Sequence, residues 1–498
     1  MRYLAALFLA VVLLAPAGRA GAAPPPEPPA EIRFSEQILP ILQQELAPVL
    51  DRLPGLTYDS WDGLVAGADF GQVLVPFDAE HSLLVQLADH TDGVSEASRA
   101  QLRQWIDEGA RSDDGTVPYA DVADRPLLYV ANQGAAMVSV IDMARNVVVR
   151  NVKLQALGFD ANAKPHHTAV EPDGSHWYVS LIGASQVLKF DRDNRLVGQV
   201  AFETPGMLAL HPTEDLLYVA RSMMAVNPPT RIGAIRRSDL ALTEIDVFFP
   251  RPHALALNPA AGYVYTASLA ENRIASVPVG EEDVAELIGL DGPVHTLVQF
   301  AVSPDGQTMV AGGQLTGAFF LFDLSDPATP TPVARLDLGA MPWHPVFTPD
   351  GRFVYIGNQG ANTVTVVDVA RREVAAVITG DGLAEPHGIA VSPDGRFVYV
   401  SNRNLKSAYT PRWVRFTQEM AEEGPAHEGT DHAGMGHDGH GMANPPEPTA
   451  NHDMDHGMMM DMEAEYGGTV VVIDTATQEI VRVLELGAYP SGMSTRPF

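Results

Sequence analysis

From Asp124 onward the chain alternates apolar and polar residues in short runs, and this arrangement returns with a period of roughly 40–50 residues, the range of a four-strand repeat. Its clearest copy runs Glu385-Pro-His-Gly-Ile-Ala-Val-Ser-Pro-Asp-Gly-Arg-Phe-Val-Tyr-Val-Ser-Asn402. The alternation predicts a strand, Pro-Asp-Gly a tight turn, and Phe397 to Val400 a second strand. Further hairpins fall at Pro165 to Leu181, Pro205 to Val219, Pro252 to Thr266, Val298 to Ala311 and Pro342 to Ile356. Each is followed by a third strand such as Val364 to Val367 and a fourth such as Glu373 to Ile378. One further repeat is split. Asp124 to Asn132 opens on a second strand, whereas Tyr489 to Phe498 has the first-strand pattern. The C-terminus is therefore expected to pair with Leu127 to Val130 and lock a ring, leaving no open sheet edge there.

The motifs Tyr-Val-Ala-Asn at 129–132, Val-Tyr-Ile-Gly-Asn at 354–358 and Val-Tyr-Val-Ser-Asn at 398–402 resemble the YVTN family of seven-bladed β-propellers, over about three quarters of the chain. The expected fold class is mainly β: a seven-bladed β-propeller over 124–498 whose C-terminal strand closes blade 1, preceded by a small α-helical domain.

Between the Pro-rich stretch 24–30 and Asp113 the period becomes helical: Ile38 to Gln44, Tyr58 to Val65, Ser82 to Leu87 and Ser98 to Ala110 predict four helices in a domain over 31–115. Their order resembles the small cytochrome c domains of planctomycete-type proteins, with two departures. The haem-attachment position near Glu45 to Val49 has neither Cys nor His, and the loop Asp89 to Ser95 has no Met. Haem is not expected, although His81 or His90 would be the residues to hold it; a docking or structural module is the reading. Because this domain feeds the start of a second strand, it is expected on the propeller face opposite the one where first strands begin, here called the upper face.

Residues 1–23 read as a secretory signal peptide, with Arg2, an apolar run Tyr3 to Leu14 and small residues to Ala23. No later stretch has the ~20 apolar residues of a membrane span. A periplasmic or extracellular address follows. Cysteine is absent, which excludes disulfides, thiolate metal sites and covalent c-type haem. With 62 acidic against 32 basic residues, a formal charge of −30, the chain repels nucleic acid and attracts cations.

That balance gives the histidines their interest. His166 and His167 open blade 2, His253 blade 4, His344 blade 6 and His387 blade 7, with His295 three residues out of register in blade 5. First strands are innermost in a propeller, so these side chains are expected to converge at the channel, where imidazoles suit copper or zinc. The pattern resembles the propeller of nitrous oxide reductase, whose copper cluster is held by histidines including an adjacent pair, and more loosely the haem d1 propeller of nitrite reductase. Carried over, His166 and His167 match the pair, and His253, His344 and His387 occupy comparable positions. Gly206 and Ser491 stand at the positions of blades 3 and 1, and no cupredoxin domain is present, which argues against nitrous oxide reduction.

A second candidate is an insert over 415–466 between the second and third strands of blade 7. It carries His427, His432, Met435, His437, His440, Met442, His452, Met454, His456, Met458, Met459, Met460 and Met462, interleaved with acidic residues. Its composition cannot bury a core. Thioethers select Cu(I) and imidazoles accept Cu(II) or zinc. The insert is expected on the upper face, as is the Met223-Met224 pair of blade 3. The leading reading is an exported metal-binding propeller, copper first, in metal handling or a redox system, with metal ions and a periplasmic or outer-membrane protein as partners. An oxidoreductase with channel copper or haem, and a non-catalytic interaction scaffold, are the alternatives. Lactonase-like propellers share the repeat, but no convergent acid–base set argues for hydrolysis.

Overall fold

The structure is a computed structural model in which residues 32–223, 225, 230–258, 260, 262–281, 284–422 and 465–496 are described. Two compact units divide the chain, Met1–Ile32 and Arg33–Phe498, and only Ile32 of the first is among the described residues. The proposed signal peptide and the His/Met positions 427–462 lie outside the described residues. No described helix is long and apolar enough to cross a membrane.

Seven antiparallel four-stranded sheets form the propeller of the second unit. The innermost strands, Pro165–Val170, Pro205–Leu210, Pro252–Asn258, Leu297–Val302, Pro342–Phe347, Pro386–Val391 and Pro490–Arg496, each pack on the innermost strands of both neighbouring blades, so the ring is closed. Blade 1 is composite: Pro490–Arg496 pairs antiparallel with Leu127–Asn132, matching Leu127 to Arg496 and Val130 to Met493. Arg496 further ties the ends together by donating to the carbonyls of Val122 and Ala123.

Second strands are almost wholly buried, because both faces of each blade pack on neighbours. Six of them bury a tyrosine: Tyr129, Tyr178, Tyr218, Tyr265, Tyr355 and Tyr399. Outermost strands such as Leu196–Ala201 and Thr331–Asp337 are half-buried or exposed, as expected where one edge meets water. Gly395, at φ +73°, closes the Pro-Asp-Gly turn of blade 7 in the left-handed conformation that this turn demands.

The N-terminal part of this unit is helical, with Leu39–Gln44, Trp61–Ala66, Leu83–His90 and Glu96–Asp107 as its main helices. Ser60 and Ser95 cap two of them by accepting from the amides of Gly63 and Ser98. The expectation of a position on the face opposite the upper one is overturned. The segment lies along the outermost strands of blades 1 and 7: Arg150 stacks over Phe77 at 4.1 Å, Gln72 bonds to the backbone of Val148, and Arg482 donates to the carbonyl of Asp69. The connection through Tyr119, whose hydroxyl donates to the carbonyl of Val65, lets the helices fold back. There Val75 is buried with Leu484 and Leu486, which strand direction alone does not reveal.

A second departure concerns the blade 7 insert, whose start at 415 falls within the helix Arg412–Glu422. Its aromatic residues find partners on the helical segment: Trp413 stacks on His90 with ring centroids 4.1 Å apart, and Phe416 meets Phe70 at 5.8 Å.

Candidate functional site

All seven innermost strands begin alike. The residue before each strand, namely Lys164, Thr204, Arg251, Thr296, Met341, Glu385 and Tyr489, has φ between +43° and +60°. That conformation costs a non-glycine residue about 1–3 kcal/mol and persists only where the surroundings impose it. The pairing to the second strand then slips within the first few residues in every blade. A bulge of this kind re-aims side chains. The one or two residues after the strand's first position therefore leave the ladder, and these are the positions that hold the channel histidines.

His166 lies 5.9 Å from His253 and 5.9 Å from His387, His344 lies 5.1 Å from His387, and His167 lies 6.5 Å from His344, all between ring centroids. Four of the rings are buried and His167 is half-buried. His295 does not join them. Its Nδ1 bonds Thr316 Oγ1 at 2.8 Å, its Nε2 lies 3.1 Å from the Asp291 carbonyl and its ring sits against Phe320. Standing before the left-handed Thr296 rather than after it, His295 is turned back into blade 5, and Val298 and Gln299 take the bulge positions.

Hydrogen bonds fix which nitrogen is free. His253 Nδ1 lies 2.7 Å from the Arg221 carbonyl and His166 Nδ1 3.1 Å from Gln133 Oε1. Each partner only accepts, so both Nδ1 atoms carry the proton and each Nε2 presents its lone pair. His166 Nε2, His344 Nε2 and His387 Nδ1 are buried and have no hydrogen-bond partner. A buried polar atom left so costs about 1–3 kcal/mol, and three of them in one channel are a donor set that a soft or borderline cation would satisfy. Burial pushes all five rings below the ordinary imidazole range, His167 and His253 to about 4 and the others well down. The rings are accordingly neutral, the form that ligates metal.

The set is wider than one ion's ligand shell. Among the described residues, the group whose three donor atoms all lie within 4.8 Å of one another is instead Asp78, Glu80 and His81, and there Lys153 Nζ, 2.9 Å from Asp78 Oδ1, already supplies a cation. A single ion held by three of them in the channel, with metal–nitrogen bonds of about 2.0–2.1 Å, requires the rings to turn inward. His90 donates its Nδ1 proton to the Gln86 carbonyl.

Sequence reading passed over four neighbours of the cluster. Trp343, buried with its Nε1 unpartnered, lies 5.1 Å from His387; it stands directly after the strand's opening proline, as His166, His253 and His387 do, and that alignment could have found it. Met223 packs beside it, while Met224 lies outside the described residues. Tyr489, 6.0 Å from His387, precedes the first strand of blade 1 as Glu385 precedes that of blade 7; Arg403, which donates to the Tyr489 hydroxyl, and Gln133 each follow the motif asparagine of a second strand, as Gln359 does, and aligning the repeats could have found them. A recess of about 740 Å³ lies elsewhere, on the outer rim between blades 6 and 7.

Glycine at 492 makes room for this cluster. A Cβ there would stand 2.3 Å from His167 Cδ2 and 2.6 Å from the His166 carbonyl oxygen. The backbone oxygen cannot swing aside, so Gly492→Ala is expected to lower the unfolding free energy by about 1–3 kcal/mol and shift the His167 ring. Urea denaturation with histidine NMR checks this; an unchanged midpoint and spectrum would contradict it.

Residues 195–410 match the family described as "Lactonase, 7-bladed beta-propeller". No curated protein sequence matches the chain. Among solved structures, a functionally unknown protein from Desulfotomaculum acetoxidans is 10% identical, with TM-score 0.53 over 74% of this chain and 98% of its own. Kuenenia stuttgartiensis hydrazine synthase is 23% identical, with TM-score 0.43 over 48% of this chain and 74% of that one. Streptogramin B lyase is 14% identical, with TM-score 0.45 over 55% and 94%. At such identities the likeness concerns the fold alone.

Proposed function

We propose that this seven-bladed propeller is an exported metal-binding protein, with copper as its metal, serving metal handling or a redox system at the periplasmic or extracellular side. One observation carries the reading: His166, His344 and His387 converge on the channel, neutral and buried, each with a ring nitrogen that has no partner. Those nitrogens, with His253 Nε2 beside them, would hold the metal, which when bound supplies Lewis-acid or one-electron chemistry; His167, whose Nδ1 accepts from the Leu208 amide at 3.4 Å, would join them only in its other tautomer. The His/Met positions between His427 and Met462 supply a second, softer donor set in sequence and would collect Cu(I). The lactonase match favours a hydrolytic alternative, but Glu385, the buried carboxylate next to the cluster, is engaged by the amides of Leu405 and Lys406 and lies 3.7 Å from Arg403, a poor state for a general base.

The full chain, with residues 1–23 to direct export, is produced untagged in copper-supplemented periplasm, and bound metals are measured beside a variant lacking 426–462 and a His166→Ala/His344→Ala/His387→Ala variant. Copper is expected in the first two and missing at the channel in the third. Copper lost with 426–462 would move the function to the insert, and no metal in any of them would leave a scaffold.

A further inference from the structure

A line of buried polar side chains crosses blade 1 from the helical segment to the channel. Asp78, wholly buried, accepts through Oδ2 from Asn151 Nδ2 at 2.7 Å; Ser139 Oγ donates to Asn151 Oδ1 at 2.7 Å; Asn132 Nδ2 donates to Ser139 Oγ at 2.9 Å. Asn132 ends its strand, and the next residue is Gln133, whose side chain receives the Nδ1 proton of His166 and whose amide donates to the Tyr489 carbonyl at 2.8 Å. The outer end is held by charge. Lys153 Nζ lies 2.9 Å from Asp78 Oδ1 and His81 Nδ1 2.8 Å from Oδ2. Burial pushes the Asp78 carboxyl up, but His81, Lys153 and Asn151 outweigh it and hold the group well below its ordinary range.

Blades 6 and 7 do not repeat the line, and in blade 3 the buried Arg221, whose carbonyl accepts from His253, instead reaches Glu244 on the outermost strand through its guanidinium. In blade 6 the motif asparagine Asn358 likewise donates to Thr365, 2.7 Å away, yet Thr365 faces Val377 on the outer strand and the polar contact ends. In blade 7 the corresponding cross-strand pair is Val471 and Val483. Blade 1 has Ser139 opposite Asn151 instead, and Asn151 would be left unsatisfied without a carboxylate from outside the propeller. Buried polar side chains persist in a sheet when every link is satisfied. Amide groups do not pass protons along such a line, so its effect is positional.

We infer that the helical segment is a working part of the channel site, with Asp78 a positioning residue that acts through Asn151, Ser139 and Asn132 to fix the turn carrying Gln133, and so the tautomer of His166. This rests on the channel histidines being the site, but not on their metal.

The test uses the full chain without metal, labelled with ¹⁵N-histidine, its signals assigned by single His→Gln variants. In Asp78→Asn the His166 Nδ1–H is expected to exchange with water at least about tenfold faster, reflecting a weakened hydrogen bond, while His253, held by the Arg221 carbonyl, stays unchanged. Asp78→Asn/Asn151→Asp, which exchanges donor and acceptor, is expected to restore the His166 signal. Ser139→Ala cuts the middle of the line and leaves the Asp78 ion pairs intact, so it decides the question if Asp78→Asn does not fold. An unchanged His166 in both single variants, or equal changes at His166 and His253, overturns the inference. Copper binding is not read, so failure of the copper reading is a separate result.

Discussion

Acidification from pH 7 to pH 5.5 is expected to remove several kcal/mol of the metal-free protein's stability, the four buried channel histidines each contributing about 1 kcal/mol. The rings of His166, His253, His344 and His387 have pKa values held below the ordinary imidazole value by burial. In the unfolded chain they titrate near 6.5. The unfolded state therefore binds protons first as pH falls. The stabilisation is fully present above about 6.5 and is gone once pH passes the folded-state value, about 4 for His253. Carboxylates held low, such as Asp114 at about 2, act only in more acid solution, so the two windows separate. Urea denaturation followed by tryptophan fluorescence at intervals between pH 7.5 and 4.5 measures the slope. A flat profile across pH 6.5–5 would show that the channel rings already carry protons or reach water. Under the proposed function, bound copper competes with those protons, and loading should move the loss to lower pH.

Removing residues 490–498 is expected to cost more than about 5 kcal/mol, enough to abolish the cooperative fold of a domain of ordinary stability. The deleted strand is the innermost strand of blade 1. Without it the Leu127–Asn132 strand keeps its pairing to Met137–Asp142 but loses its inner ladder partner, the strands beginning at Pro165 and Pro386 lose a neighbour, and Met493 no longer covers its cluster. Ser491, whose hydroxyl donates to the carbonyls of Ala131 and His166, goes as well. A synthetic peptide of residues 488–498 added in trans should rebind the exposed edge by strand addition and restore the fold. Calorimetry of the truncated chain with and without the peptide reads both effects. An unaltered transition in the truncated chain would mean that the ring does not depend on this closure.

The repeat made the propeller legible, down to the split blade, because a blade's four strands are local in sequence and each turn has its own chemistry, as at Gly395. The columns that hold His166, His167, His253, His344 and His387 were visible for the same reason: a repeated backbone repeats its channel-facing positions. Side-chain direction was not visible. His295 belongs to the same region of its repeat but lies before the left-handed residue, and a single positive φ decides whether a ring meets the channel or its own blade. The position of the helical segment was likewise beyond the sequence, because it depends on apolar and polar matches between distant residues, Val75 with Leu484 and Asp78 with Lys153 and Asn151. Taken alone, the sequence determined the ring, its closure and the columns of histidines at the starts of the first strands, since these follow from local periodicity. Only the tertiary structure decided which nitrogens are left free and what holds the others, because hydrogen-bond partners such as Gln133 and the Arg221 carbonyl are set by packing between blades.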